Sequence, residues 1–235
     1  MTARPRTVGH RGASALAPEN TLRAIELAAE RGLDLVEVDV YLSRDGELVC
    51  VHDADLQRVA GRPEAIATLS ADELARVDLG AGQGVPRLMD VLAVARGRLG
   101  VYVELKGDRT GTALGSLARS GGCDGVEVIG GSFDLPLVVE LRDEGAAVPR
   151  SILFRRTSAT AMLDACASVG ATYAHPCFRP LGRALVDELH AGGLLVMAPH
   201  TNDRDEARAF AAAGIDILAT DDPDVLSDFR APATR

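Results

Sequence analysis

The stretch Val8-Gly9-His10-Arg11-Gly12-Ala13-Ser14-Ala15-Leu16-Ala17-Pro18-Glu19-Asn20-Thr21 holds the end of a strand, a charged turn and the start of a helix. Residues 7–9 end an apolar run that is typical of a strand, and residues 19–31 follow a helical pattern that Gly32 terminates. His10 and Arg11 stand together directly after the strand. The stretch therefore predicts a strand–helix unit with a histidine and a cation at the carboxyl end of its strand.

The same alternation of short β-branched runs and Ala/Leu-rich helical patterns continues along the chain. The predicted parallel strands cover residues 7–9, 34–40, 100–105, 125–129, 150–154, 171–174, 194–198 and 215–219, with an added strand at 47–51. Helices are predicted near residues 19–31, 88–95, 111–119, 135–143, 158–168, 179–191, 203–213 and 223–228. Eight such units without a linker predict an α/β fold, a (β/α)8 barrel in a single domain over residues 1–235. A doubly wound open sheet is the alternative, but eight successive parallel strands favour the closed barrel.

The composition limits the classes of partner. The chain is 47% hydrophobic, enough for a large core, and its net charge of −9 argues against nucleic acid or an anionic membrane as the main partner. An acidic protein still binds a phosphate ester where positive charge is concentrated locally. No run of about 18 apolar residues occurs, and residues 1–6 lack a segment of signal-peptide length, so we expect a cytoplasmic protein without stable membrane insertion. The sequence leaves open whether the chain forms a homo-oligomer.

Two charged clusters stand at strand spacing. Glu37 and Asp39 are two residues apart near the end of the second predicted strand, and Glu104 and Lys106 repeat this spacing at the end of the third. Inward-facing carboxylates from adjacent strands repel one another unless a cation lies between them. Oxygen ligands favour Mg²⁺ or Ca²⁺ over zinc. Glu104 and Lys106 taken alone would be read as a structural salt bridge, but the whole set indicates a metal site.

The chain resembles the glycerophosphodiester phosphodiesterase family over nearly its whole length. The matching segments are His10-Arg11-Gly12, Pro18-Glu19-Asn20-Thr21, Glu37-Val38-Asp39-Val40, Asp45-Gly46, His52-Asp53, Glu104-Leu105-Lys106, Ser132-Phe133-Asp134 and Thr220-Asp221-Asp222-Pro223. The resemblance implies a TIM-like barrel and hydrolysis of small-molecule glycerophosphodiesters to glycerol 3-phosphate and an alcohol. It also implies one divalent cation, Mg²⁺ or Ca²⁺, and a place in lipid and glycerol metabolism.

The resemblance also implies a role for each matching side chain. Glu37, Asp39 and Glu104 would ligate the metal, and Arg11 and Lys106 would neutralise the phosphate.

His10 and His52 would act as general base and general acid, since imidazole titrates near neutral pH. The assignment of base and acid between the two histidines stays open. In family terms the nucleophile is the glycerol 2-hydroxyl of the substrate, which gives a cyclic phosphate that water opens. Phe133 would contact the substrate.

Two further aspartates belong to the matching segments. Asp53 would either orient His52 or cap the next turn, and Asp221 would brace the end of the last strand. The structural role is favoured for both from the sequence.

One segment departs from the family pattern. Members commonly carry a Trp-Thr-x-Asn segment after the seventh strand, whereas this chain has Met197-Ala198-Pro199-His200-Thr201-Asn202, with Pro199 or His200 in place of the aromatic residue. Two further histidines, His175 and His200, are predicted at strand ends, where substrate contact and a cap or loop contact are equally favoured. We expect the departure to affect the alcohol and glycerol preference and to leave the phosphodiester chemistry intact.

Two other functions compete with this prediction. A lysophospholipase D-like enzyme of the same barrel type needs an apolar or aromatic rim, which an aromatic content of 3% disfavours. A catalytically inactive binding barrel would be free to lose its catalytic groups, yet both histidines, all three acids and both cations are present. The sequence favours the phosphodiesterase.

Overall fold

Eight parallel strands follow one another around a nearly closed barrel in the structure, a computed structural model that describes residues 4–230. The strands are β1 (Arg6–Gly9), β2 (Leu35–Leu42), β3 (Leu48–Cys50), β4 (Gly100–Leu105), β5 (Val128–Ser132), β6 (Arg150–Phe154), β7 (Tyr173–Pro176), β8 (Leu195–Val196) and β9 (Ile217–Thr220). They are hydrogen-bonded in the order β8-β7-β6-β5-β4-β2-β1-β9, and β3 pairs with β2 in the antiparallel direction. Met197 pairs with Ile217 at the seam between β8 and β9. The predicted barrel is confirmed and the open sheet was wrong, because this contact joins the two ends of the sheet.

The helices follow the strands on the outside of the barrel. They are α1 (Leu22–Glu30), α2 (Gln57–Ala60), α3 (Ala71–Leu74), α4 (Leu88–Ala95), α5 (Thr110–Arg119), α6 (Leu135–Asp143), α7 (Ala159–Val169), α8 (Arg183–Ala191) and α9 (Arg204–Ala213), with 3-10 helices at Ile66–Thr68 and Pro223–Phe229. Within residues 4–230, no helix is long and apolar enough to cross a membrane. The described residues form one domain, whereas both ends of the predicted 1–235 range lie outside them.

Helix α1 begins three residues later than the sequence predicted. Thr21, not Glu19, is its N-cap, and the Thr21 side chain accepts a hydrogen bond from the Ala24 backbone N–H. Asn20 has a φ of 57°, a left-handed conformation that a helix cannot include. Pro18 and Glu19 therefore belong to the turn above the barrel and not to the helix.

Strand β5 was predicted too early. The sequence placed it at 125–129, whereas Gly125 has a φ of 78° and belongs to the preceding turn. Gly130 and Gly131, which the prediction placed after the strand, are buried within it, and it ends at Ser132. A Cβ atom on Gly131 would lie 2.3 Å from the Tyr102 hydroxyl oxygen, so the strand needs glycine for close packing inside the barrel.

The inner face of the barrel is filled by side chains from seven of the eight parallel strands and from Met197, directly after β8. These side chains are Val8, Leu35, Tyr102, Ile129, Leu153, Tyr173, Met197, Ile217 and Ala219. Separate clusters of buried residues fill the space between the strands and the helices. The packed interior forms the floor beneath the charged residues at the carboxyl end of the barrel.

Candidate active site

The acidic residues of β2 and β4 project into the barrel above its packed interior. Leu35, Glu37 and Asp39 alternate along β2 and so share the inward face. Tyr102 and Glu104 do the same on β4, where Glu104 pairs in register with Asp39. Strand alternation thus brings three carboxylates to the carboxyl end of the barrel, as the sequence predicted.

The three carboxylates form a cluster that fits a divalent cation. One oxygen from each of Glu37, Asp39 and Glu104 lies within 4.8 Å of the others. Burial and repulsion by Asp39 and Glu104 raise the pKa of Glu37 well above its ordinary value, and burial and repulsion by Asp39 raise that of Glu104. Oε1 of Glu37 is buried without a hydrogen-bond partner among the described residues. An unpartnered oxygen among repelling carboxylates is the donor set that a hard cation stabilises.

Two cations stand beside the carboxylates. Lys106 Nζ lies 2.9 Å from Glu104 Oε1 and 3.3 Å from Asp39 Oδ1, and Arg11 Nε lies 3.4 Å from Asp39 Oδ2. Burial lowers the pKa of Lys106, but the charges of Asp39 and Glu104 outweigh it and raise the pKa overall. Glu104 and Lys106 are therefore not an isolated structural pair, because Lys106 contacts two carboxylates of the cluster.

The turn after β1 donates a backbone hydrogen bond to the carboxylate cluster. Arg11 has a φ of 57°, and its N–H donates to Glu37 Oε2 at 2.8 Å. Gly12 has a φ of 81°, and a Cβ there would lie 2.7 Å from Ala24 Cβ, so only glycine fits. The Asn20 amide donates to Asp39 Oδ2 and accepts from the Asp39 N–H, so Asn20 ties this turn to β2.

His10 is held by an aspartate from the last strand. Its Nδ1 lies 2.7 Å from Asp221 Oδ1. Burial raises the pKa of Asp221, but hydrogen bonds from His10 and Asn202 outweigh it and keep the pKa below its ordinary value. Asp221 also binds Asn202 at the end of the last strand, and its contact with His10 is an additional role that the sequence did not indicate.

His52 is held by a longer chain of charged groups. Its Nδ1 lies 2.6 Å from Asp53 Oδ1, and Arg58 Nε donates to Asp53 Oδ2 at 2.6 Å. Arg58 binds Glu19 through both terminal nitrogens, at 2.9 and 2.7 Å, and Glu19 accepts from Arg11 at 3.0 Å. Asp53 therefore orients His52, contrary to the favoured capping role. Sequence reasoning missed Arg58 and the role of Glu19, because these residues lie 39 positions apart.

The predicted site residues surround one cavity of about 250 Å³ at the carboxyl end of the barrel. Nine of them line it: His10, Arg11, Glu37, His52, Glu104, Lys106, Phe133, His175 and His200. Asp39, the tenth, lies beneath them with 1% of its surface exposed. The lining residues that sequence reasoning did not propose as contacts are Tyr102, Leu153, Cys177, Arg179, Met197, Pro199 and Ala219.

His200 lines the cavity in the segment where an aromatic residue was expected. Its ring stacks on His10, with ring centroids 4.1 Å apart and an interplanar angle of 6°. Burial, and then the neighbouring charge of His10, lower the pKa of His200. The stack favours a neutral His200, because two imidazolium rings in contact would repel each other.

His175 is buried in the cavity wall. Its Nε2 lies 3.1 Å from the Ala198 carbonyl oxygen, and Nδ1 has no hydrogen-bond partner among the described residues. The ring is edge-on to Tyr102, with centroids 6.1 Å apart. Burial lowers the pKa of His175 to about 3. The Nε2 contact is therefore made by a neutral ring.

We expect His175 to make the protein less stable in acid. Between its folded pKa of about 3 and the ordinary value of 6.5, the unfolded chain binds a proton that the folded protein does not. The free energy of unfolding therefore falls as the pH drops through this window. Urea unfolding of the metal-free protein should show that His175 contributes a slope of up to about 1.4 kcal/mol per pH unit, which His175→Gln lacks.

His190, whose Nε2 lies 2.8 Å from Asp216 Oδ2, provides the matched control. His190→Gln should keep the slope that His175 causes. Equal slopes in the wild type and His175→Gln would contradict the prediction.

A parallel barrel that presents acids, cations and carboxylate-held histidines to one cavity defines the class of barrel enzymes that act on phosphate esters. The family model described as "Glycerophosphoryl diester phosphodiesterase family" matches residues 10–225. The chain belongs to this family, whose members are phosphoric diester hydrolases.

Individual relatives agree with this assignment over their full length. YhdW of Bacillus subtilis is 27% identical and covers 93% of this chain and 95% of its own. The crystal structure of a glycerophosphodiester phosphodiesterase from Agrobacterium tumefaciens has a TM-score of 0.80 at 28% identity, covering 95% of this chain and 99% of that chain. An Oleispira antarctica phosphodiesterase, solved with the product sn-glycerol-3-phosphate, has a TM-score of 0.87 at 24% identity, covering 96% of both chains.

Proposed function

We propose that this protein hydrolyses glycerophosphodiesters to glycerol 3-phosphate and an alcohol, with one divalent cation, Mg²⁺ or Ca²⁺. The observation that supports this most is that the acid cluster and two carboxylate-held histidines face the same cavity. Glycerol 3-phosphate as product is consistent with the Oleispira antarctica phosphodiesterase, which was solved with that compound.

In this proposal the cluster of Glu37, Asp39 and Glu104 holds the cation. When bound, the cation supplies a Lewis acid that polarises a phosphoryl oxygen and lowers the pKa of a nearby hydroxyl. Arg11 and Lys106, beside the same carboxylates, bind the remaining phosphate oxygens. Glu19 and Arg58 keep Arg11 and His52 in fixed positions through their ion pairs.

The two histidines transfer the protons. One accepts the proton of the glycerol 2-hydroxyl as this oxygen attacks phosphorus, and the other donates a proton to the departing alcohol oxygen. Water then opens the cyclic phosphate with the roles reversed. Asp221 and Asp53 stabilise the imidazolium form of each ring in turn, because their carboxylates lie at 2.7 and 2.6 Å from Nδ1.

The wall of the cavity that faces the acid cluster is proposed to bind the rest of the substrate, including its glycerol part. His175 lines this wall beside the glycerol part, and Phe133 offers an apolar contact to the departing alcohol nearer the mouth. His200 covers one face of His10 and confines its ring. Four large apolar side chains are exposed within residues 4–230, and only Phe133 among them lines the cavity, which disfavours a lysophospholipid as substrate. The cytoplasmic location stays a prediction from the sequence.

Turnover of defined diesters tests the proposed function. We expect release of glycerol 3-phosphate from glycerophosphocholine, glycerophosphoethanolamine or glycerophosphoglycerol with Mg²⁺ or Ca²⁺, and none with EDTA. Phosphorus NMR should detect the cyclic phosphate at early times.

An analogue in which propane-1,3-diol replaces glycerol serves as the control, since it lacks the 2-hydroxyl. We expect no turnover of this analogue. Equal turnover of the analogue would contradict attack by the substrate hydroxyl, and no turnover of any diester by the folded, metal-loaded protein would contradict the proposed function.

A further inference from the structure

The mouth of the cavity carries positive charge on the side away from the acid cluster. Arg155 and Arg156 follow directly after β6, and both are exposed. Arg155 continues the inward side of β6, on which Leu153 lies, whereas Arg156 continues the outer side with Phe154. Strands β4 and β5 separate β6 from β2, so Arg155 stands across the cavity from Glu37 and Asp39 in a protein with a net charge of −9.

Neither arginine is neutralised by a neighbouring carboxylate. The Arg155 guanidinium lies over the Phe133 ring, 5.0 Å from its centroid. The Arg156 guanidinium lies 5.1 Å from the centroid of Phe178, outside the cavity lining, and donates to the Arg179 carbonyl oxygen. Within residues 4–230, no carboxylate is within ion-pair distance of either group, Asp134 beside Phe133 included. Arg179, the third cation at this rim, differs because Glu206 binds its Nε and Nη2 at 2.6 and 2.9 Å.

The charge of Arg155 extends into the cavity. Phe133, on which its guanidinium rests, lines the cavity wall. The thiol of Cys177, another lining residue, has its pKa raised to about 12 by burial and by the charge of Glu104, and the charge of Arg155 opposes this rise. Arg155 thus places one positive charge beside the cavity wall at Phe133.

The contact between Arg155 and Phe133 disfavours a quaternary ammonium group as part of the substrate. Such groups bind over the open faces of aromatic rings. Phe133 is the exposed phenyl ring of the cavity, and a guanidinium already covers one of its faces. A cationic alcohol would therefore meet like charge where it needs a π-face.

We propose that the preferred glycerophosphodiester carries a second phosphate group on its leaving alcohol, and that Arg155 binds this group. The inference rests on the proposed function, because the glycerol hydroxyl must lie inside the cavity beside a histidine and the alcohol then points to the mouth. A guanidinium group suits a dianionic phosphate, which it binds through two parallel charge-assisted hydrogen bonds.

The test compares three diesters that differ in the charge of the leaving alcohol. Glycerophosphoglycerol is neutral there, its terminal phosphate ester is anionic, and glycerophosphocholine is cationic. At fixed free Mg²⁺ we expect kcat/KM for the phosphate ester to exceed that for glycerophosphoglycerol about ten-fold, mainly through KM, with glycerophosphocholine lowest. Arg155→Gln should lower the ratio of the two kcat/KM values to about one, and added salt should lower this ratio in the wild type.

Arg98→Gln is the matched control, since Arg98 is an exposed arginine at the opposite, amino end of β4. It removes the same charge and should keep the ratio. Affinities of the three diesters for His10→Ala give a second readout that does not need turnover. Equal dissociation constants for the neutral and anionic diesters would overturn this inference alone, whereas tight binding of the anionic diester without turnover of any diester by the wild type would overturn the proposed function and leave the binding site standing.

Discussion

His10→Ala and His52→Ala are each expected to lower kcat for glycerophosphodiester hydrolysis by about 10²–10⁴-fold while the protein stays folded. Each variant removes one group that transfers a proton, and neither residue is part of the packed interior of the barrel. The measurement is steady-state kinetics with saturating Mg²⁺, together with circular dichroism of each variant. His190→Ala removes a histidine outside the cavity and should keep kcat near the wild-type value.

A substrate with a good leaving group separates the two roles. With glycerophospho-p-nitrophenol the departing phenolate needs no proton, so the variant that lacks the general acid should regain most of its rate of p-nitrophenolate release, the first step. The variant that lacks the general base should stay slow. Full activity of either alanine variant on the natural diester would contradict the assignment of that histidine, and recovery of both on the activated ester would contradict the division of roles.

Glu37→Gln is expected to abolish both activity and stabilisation by the metal, without destabilising the metal-free protein. The carboxylate is buried and repelled by Asp39 and Glu104, so a neutral amide of the same shape relieves repulsion. A cation at about 100 times its Kd stabilises a folded protein by about 2.7 kcal/mol. We therefore expect Mg²⁺ or Ca²⁺ to raise the wild-type Tm by about 5–10 °C and to leave that of Glu37→Gln unchanged.

Differential scanning calorimetry with and without each cation makes this measurement. Glu188→Gln removes an exposed acid from α8 and serves as the matched control, with an undiminished response to the metal. A metal-dependent rise in Tm that persists in Glu37→Gln, Asp39→Asn and Glu104→Gln would place the cation elsewhere. Comparison of the wild-type shifts with the two cations also shows which one binds more tightly.

The barrel could be predicted from the sequence because each strand–helix unit carries its own periodicity. Apolar alternation and helix termination are local properties, and they recur often enough to count eight units. The predicted strand boundaries were less accurate where glycines pack closely against other elements. The predicted strand ended before Gly130 and Gly131, yet both lie in β5, where Leu141 and Tyr102 occupy the space that their side chains would need.

Part of the site was also predictable from local pattern. Residues two apart on a strand share a face, so Glu37 and Asp39 had to project together, as did Glu104 and Lys106. The carboxyl ends of parallel strands meet at one end of a barrel, so these groups had to converge with His10 and Arg11. The family resemblance implied which residues bind the metal, bind the phosphate and transfer protons. Strand geometry explained why these residues cluster.

The barrel, the inward face of each strand and the charged residues at the carboxyl ends of the strands could all be predicted from the sequence. The contacts between these side chains are visible only in the folded protein. They are Asp221 with His10 across 211 positions, Arg58 with Glu19 across 39, His200 on His10 and Arg155 on Phe133. Periodicity specifies the direction of a side chain, but its neighbours depend on which strands are adjacent and in what register. In a closed barrel, β1 pairs with the last strand, β9, and this pairing brings the residues that follow the two strands together. The pairing leaves no local signal in the sequence.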